Sequence, residues 1–192
     1  PKAMSVPVSL SMPVFMSIRK EQLQGWCEWS TQGSFKNLVN VNRQVYSIVE
    51  RTINNSTVTT LELLDNTYHT DSASKQTGSA TKNWTVAHLP NTEVVVKSGN
   101  YSMGTYTTNG SGQLTLTDAV TSVEIGLNFT PELTTLPPEF QLSDGISVGQ
   151  KRRVVRAVLD LNETLDVKTK GTNILIRRVT DDFSLEPTPI TE

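Results

Sequence analysis

The side chains able to do chemistry are few, and their spacing suits none of the usual reactions. His69 and His88 stand 19 residues apart, one in a polar stretch and one at the end of a short apolar run, and Cys27 is alone. A structural zinc site needs a full tetrahedral set of such ligands, mostly in close pairs, so these three make no recognisable metal site. Serines abound, yet no G-x-S-x-G elbow presents one as a nucleophile beside a histidine and a carboxylate. Asp65, Glu93, Glu124, Asp160 and Glu163 are carboxylates that could pair for glycoside hydrolysis, a reaction that depends on their separation in space. Gly110 and Gly112 punctuate a turn between strands, not the strand-to-helix junction that cradles phosphate. Trp26, Trp29 and Trp84 could line a sugar site, but strand tryptophans more often pack. Trp26 and Trp29 are three apart, hence on opposite faces of a regular strand, one for the core and one for a neighbour. No residue is assigned a catalytic, cofactor-binding or metal-binding role, and no cofactor is expected.

The elements around these residues read as strands. Ser5 to Phe15 alternates, with Pro7 and Pro13 marking an edge. Gln24 to Ser30 and Phe35 to Val41 follow, separated by Thr31-Gln32-Gly33-Ser34 as a hairpin turn. Gln44 to Thr52 carries Val45, Ser47, Val49 and Arg51 on one face, and Ile53-Asn54-Asn55-Ser56 is a tight turn of the φ > 0 kind into Thr57 to Leu64. Residues 1–65 are thus an antiparallel β meander, and four strands in such an order look like one blade of a propeller or one half of a sandwich. Residues 66–82 are polar and poor in large apolar groups, and read as a linker that protease should cut first. Five short runs between Trp84 and Asn128 suggest a small β-barrel or sandwich over 83–128.

Residues 129–192 open with a proline-stiffened strap. Pro131, Pro137 and Pro138 remove backbone donors, so burial of Leu127, Phe129, Leu133 and Leu136 is expected to hold the strap down. Strands follow at Lys151 to Asn162, Thr164 to Lys170 and Ile174 to Val179, with a turn at Gly171-Thr172-Asn173. The fold class read from this pattern is all-β throughout, with no sustained helical period.

Bulk properties exclude several function classes. The 192 residues hold 17 Lys and Arg against 19 Asp and Glu, a net charge of −2, and one cysteine, which rules out a disulfide scaffold. Mean hydropathy is −0.28, and no apolar run reaches membrane-spanning length. Lys2 is followed by no continuous apolar core, so the start does not read as a signal peptide, and seven Asn-x-Ser/Thr sequons are what so much Asn, Ser and Thr produces by chance. Lys151-Arg152-Arg153 with Arg156 is the one basic cluster, and no aromatic company makes it a nucleic-acid patch.

Three stretches carry a resemblance. They are Gly25-Trp26-Cys27-Glu28-Trp29-Ser30-Thr31-Gln32-Gly33-Ser34-Phe35, then Glu50-Arg51-Thr52-Ile53-Asn54-Asn55 with Leu61-Glu62-Leu63-Leu64-Asp65, and Ile125-Gly126-Leu127-Asn128-Phe129-Thr130 with Thr135-Leu136-Pro137-Pro138-Glu139. In order and spacing, over about residues 18–190, the chain resembles the tail nozzle, or tail tubular, proteins of short-tailed bacteriophages (podoviruses), also described as packaged-DNA stabilisation proteins. Cys27, Glu28 and Trp29 stand where that family has His, Arg and His, and Asn128 replaces its Pro. The resemblance implies a non-enzymatic structural protein of the virion, assembled in the bacterial host cytoplasm. Its copies would form a homo-oligomeric ring, hexameric in the family, below the portal and adaptor proteins. That tube retains packaged DNA and conducts it during infection without reading its sequence. The residues alone leave two other readings open: a carbohydrate- or receptor-binding β module of a tail-fibre or cell-surface protein, and a fragment of a β-rich hydrolase.

Overall fold

A computed structural model describes residues 9–21, 23–134, 141–142, 145–146, 156, 158–161, 164 and 167–174. All regular elements among them are strands, apart from the three-residue 3-10 turn Arg19–Glu21, so the protein is all-β. Among the described residues no helix is long and apolar enough to cross a membrane. The chain forms two compact units, Pro1–Phe129 and Thr130–Glu192.

The first unit begins with a four-stranded antiparallel meander. Strands β1 (Ser9–Ile18), β2 (Leu23–Val41), β3 (Gln44–Ile53) and β4 (Ser56–Leu64) lie in that spatial order. Two tight turns set its register. Asn42-Arg43 and Asn54-Asn55 all have positive φ, between 49° and 68°, as two-residue hairpin loops of the I′ type require. The turn expected over Thr31 to Ser34 is not there. Those residues lie inside the 19-residue β2, which pairs with β1 through its first half and with β3 from Ser34 onward. Gly33 serves a different need from a turn. A Cβ there would lie 2.5 Å from the Glu50 carbonyl oxygen and 2.9 Å from Arg51 Cγ, so glycine permits close approach of β2 to β3. Gly33→Ala should therefore destabilise by about 1–3 kcal/mol, read from a urea midpoint.

A second sheet follows: β5 (Asp71–Thr85), β6 (Glu93–Ser98), β7 (Tyr101–Thr107) and β8 (Gln113–Leu127), in the spatial order β5-β8-β6-β7. The reading of 66–82 as a linker is thereby corrected, because most of it is β5. That strand pairs with β8 from Asp71↔Leu127 to Thr85↔Gln113, through three register shifts. Small polar residues signalled a linker because an edge strand, ladder-bonded on one side and wet on a face, needs few apolar groups. Of the fifteen β5 residues only Trp84 is buried. Trypsin should consequently be slow at Lys75 and Lys82, and rapid early cleavage there in limited proteolysis would contradict this pairing.

The core of the first unit is gathered on the second sheet. Trp84, Val94, Val96, Leu114, Val123, Ile125 and Leu127 are buried together, and Ile53 of β3 joins them. The strap was expected to be buried and is not. Leu127 is 3% exposed, but Phe129 is 48% and Leu133 89% exposed, and Leu136 lies outside the described residues. Leu127 owes its burial to β8. Once that ladder ends, residues 128–134 have no strand assignment and their side chains emerge. Phe129→Ala should then cost less than about 1 kcal/mol in an unfolding titration, not the several expected of a core aromatic.

In the second unit the short strands β9 (Gln141–Leu142) and β10 (Gly145–Ile146) pair, as do β11 (Val167–Thr169) and β12 (Thr172–Ile174). The β11–β12 turn is Lys170-Gly171, both at positive φ, one step earlier than Gly171-Thr172-Asn173. The strand expected over Lys151 to Asn162 is not assigned at the residues described there, and Val158 and Leu159 are exposed. Lys151, Arg152, Arg153, Glu163 and the run after Ile174 lie outside the described residues.

Candidate functional site

The most densely bonded place in the first unit is where its two sheets meet, around Arg51. Arg51 falls on the face of β3 that also holds Val45, Ser47 and Val49, so the alternation that builds the strand drives a guanidinium inward. It is 2% exposed. Two carboxylates meet it there, each by two bonds. Nε and Nη2 donate to Glu62 Oε1 and Oε2 of β4, both at 2.7 Å. Nη1 and Nη2 donate to Asp71 Oδ2 and Oδ1 at the start of β5, at 2.9 and 2.8 Å. Nη1 also donates to the Gln32 carbonyl oxygen at 3.0 Å. The carboxylates are steadied in turn. Thr31 Oγ1 donates to Asp71 Oδ2 at 2.7 Å, the Gln32 N–H to the same oxygen at 3.2 Å, and Thr60 Oγ1 to Glu62 Oε1 at 2.7 Å. Fork-shaped pairs of this kind fix geometry as well as charge.

Neighbouring groups close the junction. Gln32 Nε2 donates to the Asn128 carbonyl oxygen at 2.6 Å. A Cβ on Gly126 of β8 would come within 2.5 Å of Thr70 Oγ1 and 2.6 Å of the Asp71 carbonyl oxygen. The first residue of β5 is thus held by β2, β3 and the end of β8 together.

Burial alone would lower the Arg51 pKa, but the hydrogen bonds to Glu62 and Asp71 outweigh it and raise the group above its ordinary value. At Asp71 burial pushes upward, and the bonds from Arg51 and Thr31 win, leaving its pKa below the ordinary carboxylate value. A depressed folded pKa means that Asp71 contributes stability above its unfolded value and loses it as pH falls through the folded one. Arg51, raised, stays charged throughout that range. Stability should therefore be insensitive to Asp71 near neutrality and fall only below the usual carboxylate range. Asp71→Asn should flatten that acid limb when urea midpoints are followed against pH.

The other candidate residues do not converge. His69 lies with Glu124 and Lys97: its backbone N–H donates to Glu124 Oε1 at 2.5 Å, and Lys97 Nζ lies 3.2 Å from His69 Nδ1. His88 Nε2 lies 2.8 Å from the Ser72 carbonyl oxygen. Asp65 accepts from the Thr67 N–H at 2.8 Å, and that bond lowers its pKa. Glu93 and Asp160 are exposed, and Glu124 is buried with its carboxylate engaged. No group of three or more His, Cys, Asp or Glu able to hold a metal occurs among the described residues.

The three tryptophans separate cleanly. Trp84 is core, and its indole N–H donates to the Thr81 carbonyl oxygen at 3.2 Å. Trp26 is 73% exposed and packs at a tilt against Phe15, ring centroids 4.9 Å apart and planes at 45°. Trp29, 45% exposed, lines a groove of about 970 Å³ with Met12, Val14, Leu38, Leu64 and Phe129, and Arg43, Gln44, Asp65 and Asn66 also border it. The opposite face of the meander is apolar too: exposed Val39 and Leu63 form one cross-strand row with half-buried Tyr46 between them, and exposed Ile48 and Leu61 lie beside it.

Arg51 was legible as an anomaly, a charge in phase with Val45 and Val49. Asp71 was hidden by the polar composition around it. The chain matches no family model, and neither a curated protein nor a solved structure matches it.

Proposed function

We propose that this chain is a non-enzymatic structural component of a short-tailed phage tail, working as one copy of a ring that retains packaged DNA and conducts it. The observation that carries the reading is where its three motif stretches sit. Thr31, Gln32 and Gly33 belong to the first, Arg51 and Glu62 to the second, Gly126 and Asn128 to the third. All seven line one junction and touch one another or Asp71. Residues that resemble a family in three separated stretches, and that are also mutual neighbours, are what a shared fold would leave in a sequence. Exposed apolar rows on the meander suit a subunit that is covered by other copies. A net charge of −2 suits a conduit, since many Lys and Arg would make DNA adhere. Negative-stain images and solution mass test it: annular particles with a multi-copy mass are expected, and particles that never form a ring would refute it.

One observation favours the carbohydrate-binding reading as second. Trp29 offers an exposed indole in a groove bordered by Arg43, Gln44, Asp65 and Asn66, the mixture of flat apolar and planar polar groups that sugars use. Glycan-array binding abolished by Trp29→Ala and retained by Trp26→Ala would favour it.

A further inference from the structure

We propose that β4 is an open docking edge that pairs with β4 of a second copy of this chain across a two-fold axis. The contact goes beyond the ring reading, which needs head-to-tail contacts.

Among the described residues β4 is outermost in its sheet. The two-residue turn Asn54-Asn55 makes Ile53 and Ser56 a hydrogen-bonded pair, which fixes the phase of the ladder. Val58, Thr60, Glu62 and Leu64 then direct their backbone groups to β3, while Thr57, Thr59, Leu61 and Leu63 direct theirs outward. The Asn42-Arg43 turn gives the same phase independently, because it sends the Tyr46 and Ile48 backbone groups toward β2. The outward row carries none of the usual guards. It has no proline, whereas β1 on the other edge has Pro13. The one charge of β4, Glu62, is held by Arg51.

A row of unmade N–H and C=O groups is complementary to an extended backbone. The β4 sequence supplies its own partner. In the one antiparallel register that overlaps all nine residues, Thr60 faces Thr60 of the second copy, Thr59 faces Leu61, and Thr57 faces Leu63. Every outward backbone group then meets an outward one. Val58 faces Glu62, so no like charges oppose each other, and threonine and leucine interleave on the exposed face. A cleft of about 540 Å³ lies against Thr60 to Leu64 and is lined also by Tyr68, Ser72, Ala73 and His88.

Sedimentation equilibrium on the full chain tests this. The parent should show a reversible doubling of mass, of the single chain or of the ring, and Thr59→Pro and Leu61→Lys should each weaken that doubling at least about tenfold. Val41→Lys, on the same face but away from the edge, should leave it unchanged. Circular dichroism checks that the variants fold. Should either fail to, amide exchange on the parent decides instead: the Thr57, Thr59, Leu61 and Leu63 amides should gain protection as concentration rises. A parent that is monomeric at every concentration, or those four amides staying unprotected, overturns the proposal. A single-ring mass in the parent that both folded variants retain would also overturn it while keeping the ring. A two-copy mass lost in both, with nothing larger, would keep this contact and remove the ring.

Discussion

Replacing Arg51 with methionine should remove about 3–5 kcal/mol of folding stability, the range for breaking a buried ion pair by deleting one partner. A whole domain typically has roughly 5–15 kcal/mol, so the variant should be marginal at room temperature. The size of the loss comes from what remains. Glu62 and Asp71, each with a side chain 20% exposed, would face one another without the guanidinium that accepts both. Methionine fills much of the volume, so the penalty is electrostatic and not a cavity. Arg51→Lys should fall between parent and methionine variant, because one ammonium cannot make fork-shaped bonds to two carboxylates at once. Removing all three charges, as in Arg51→Met with Glu62→Leu and Asp71→Leu, should recover much of the loss, since a dry apolar replacement leaves nothing unpaired. Urea midpoints measure each step. If Arg51→Met unfolds at the parent's midpoint, the junction does not hold the two sheets together.

The same residues explain what could be read in advance. The meander was legible because its pattern is local: alternation in β3, and Asn54-Asn55 where a tight turn needs φ > 0. The second sheet was legible only in pieces. Its β8 is one strand from Gln113 to Leu127, and Thr117-Asp118 looked like a break because those side chains face water. β5 was missed because its structure is conferred by β8, about forty residues away in the chain, and a partner strand leaves no trace in local composition. Gly33 misled for a related reason. Glycine marks a turn or a close approach equally well, and only the neighbouring strand decides which. At the junction, Arg51 and Glu62 lie in the motif stretches, but their common partner Asp71 lies in a stretch whose Ser, Thr and Gly content imitates a linker. The strap failed differently: Phe129 and Leu133 are apolar, but nothing in their spacing says which surface covers them.

Trp84→Ala should cost about 3–5 kcal/mol, while Trp26→Ala should stay within about 0.5 kcal/mol. The two residues are the same type, both lie in strands, and residue type gives no ground for ranking them. Position does. Trp84 is 7% exposed, pairs across the ladder with Leu114, and packs in the cluster that includes Ile125 and Leu127. Its removal empties an indole-sized volume that the surrounding strands cannot collapse to fill, and it strands the Thr81 carbonyl oxygen, which accepts the indole N–H. Trp26 touches Phe15 in a tilted ring contact and, exposed as it is, loses little beyond that contact. Because Ile53 of β3 packs in the cluster with Trp84, the damage should also reach the first sheet. Amide exchange should quicken at Val49 to Ile53 in Trp84→Ala and stay at parent rates in Trp26→Ala. Exchange that quickens only in β5 to β8 would mean that Ile53 does not couple the sheets and that the polar junction around Arg51 joins them without it.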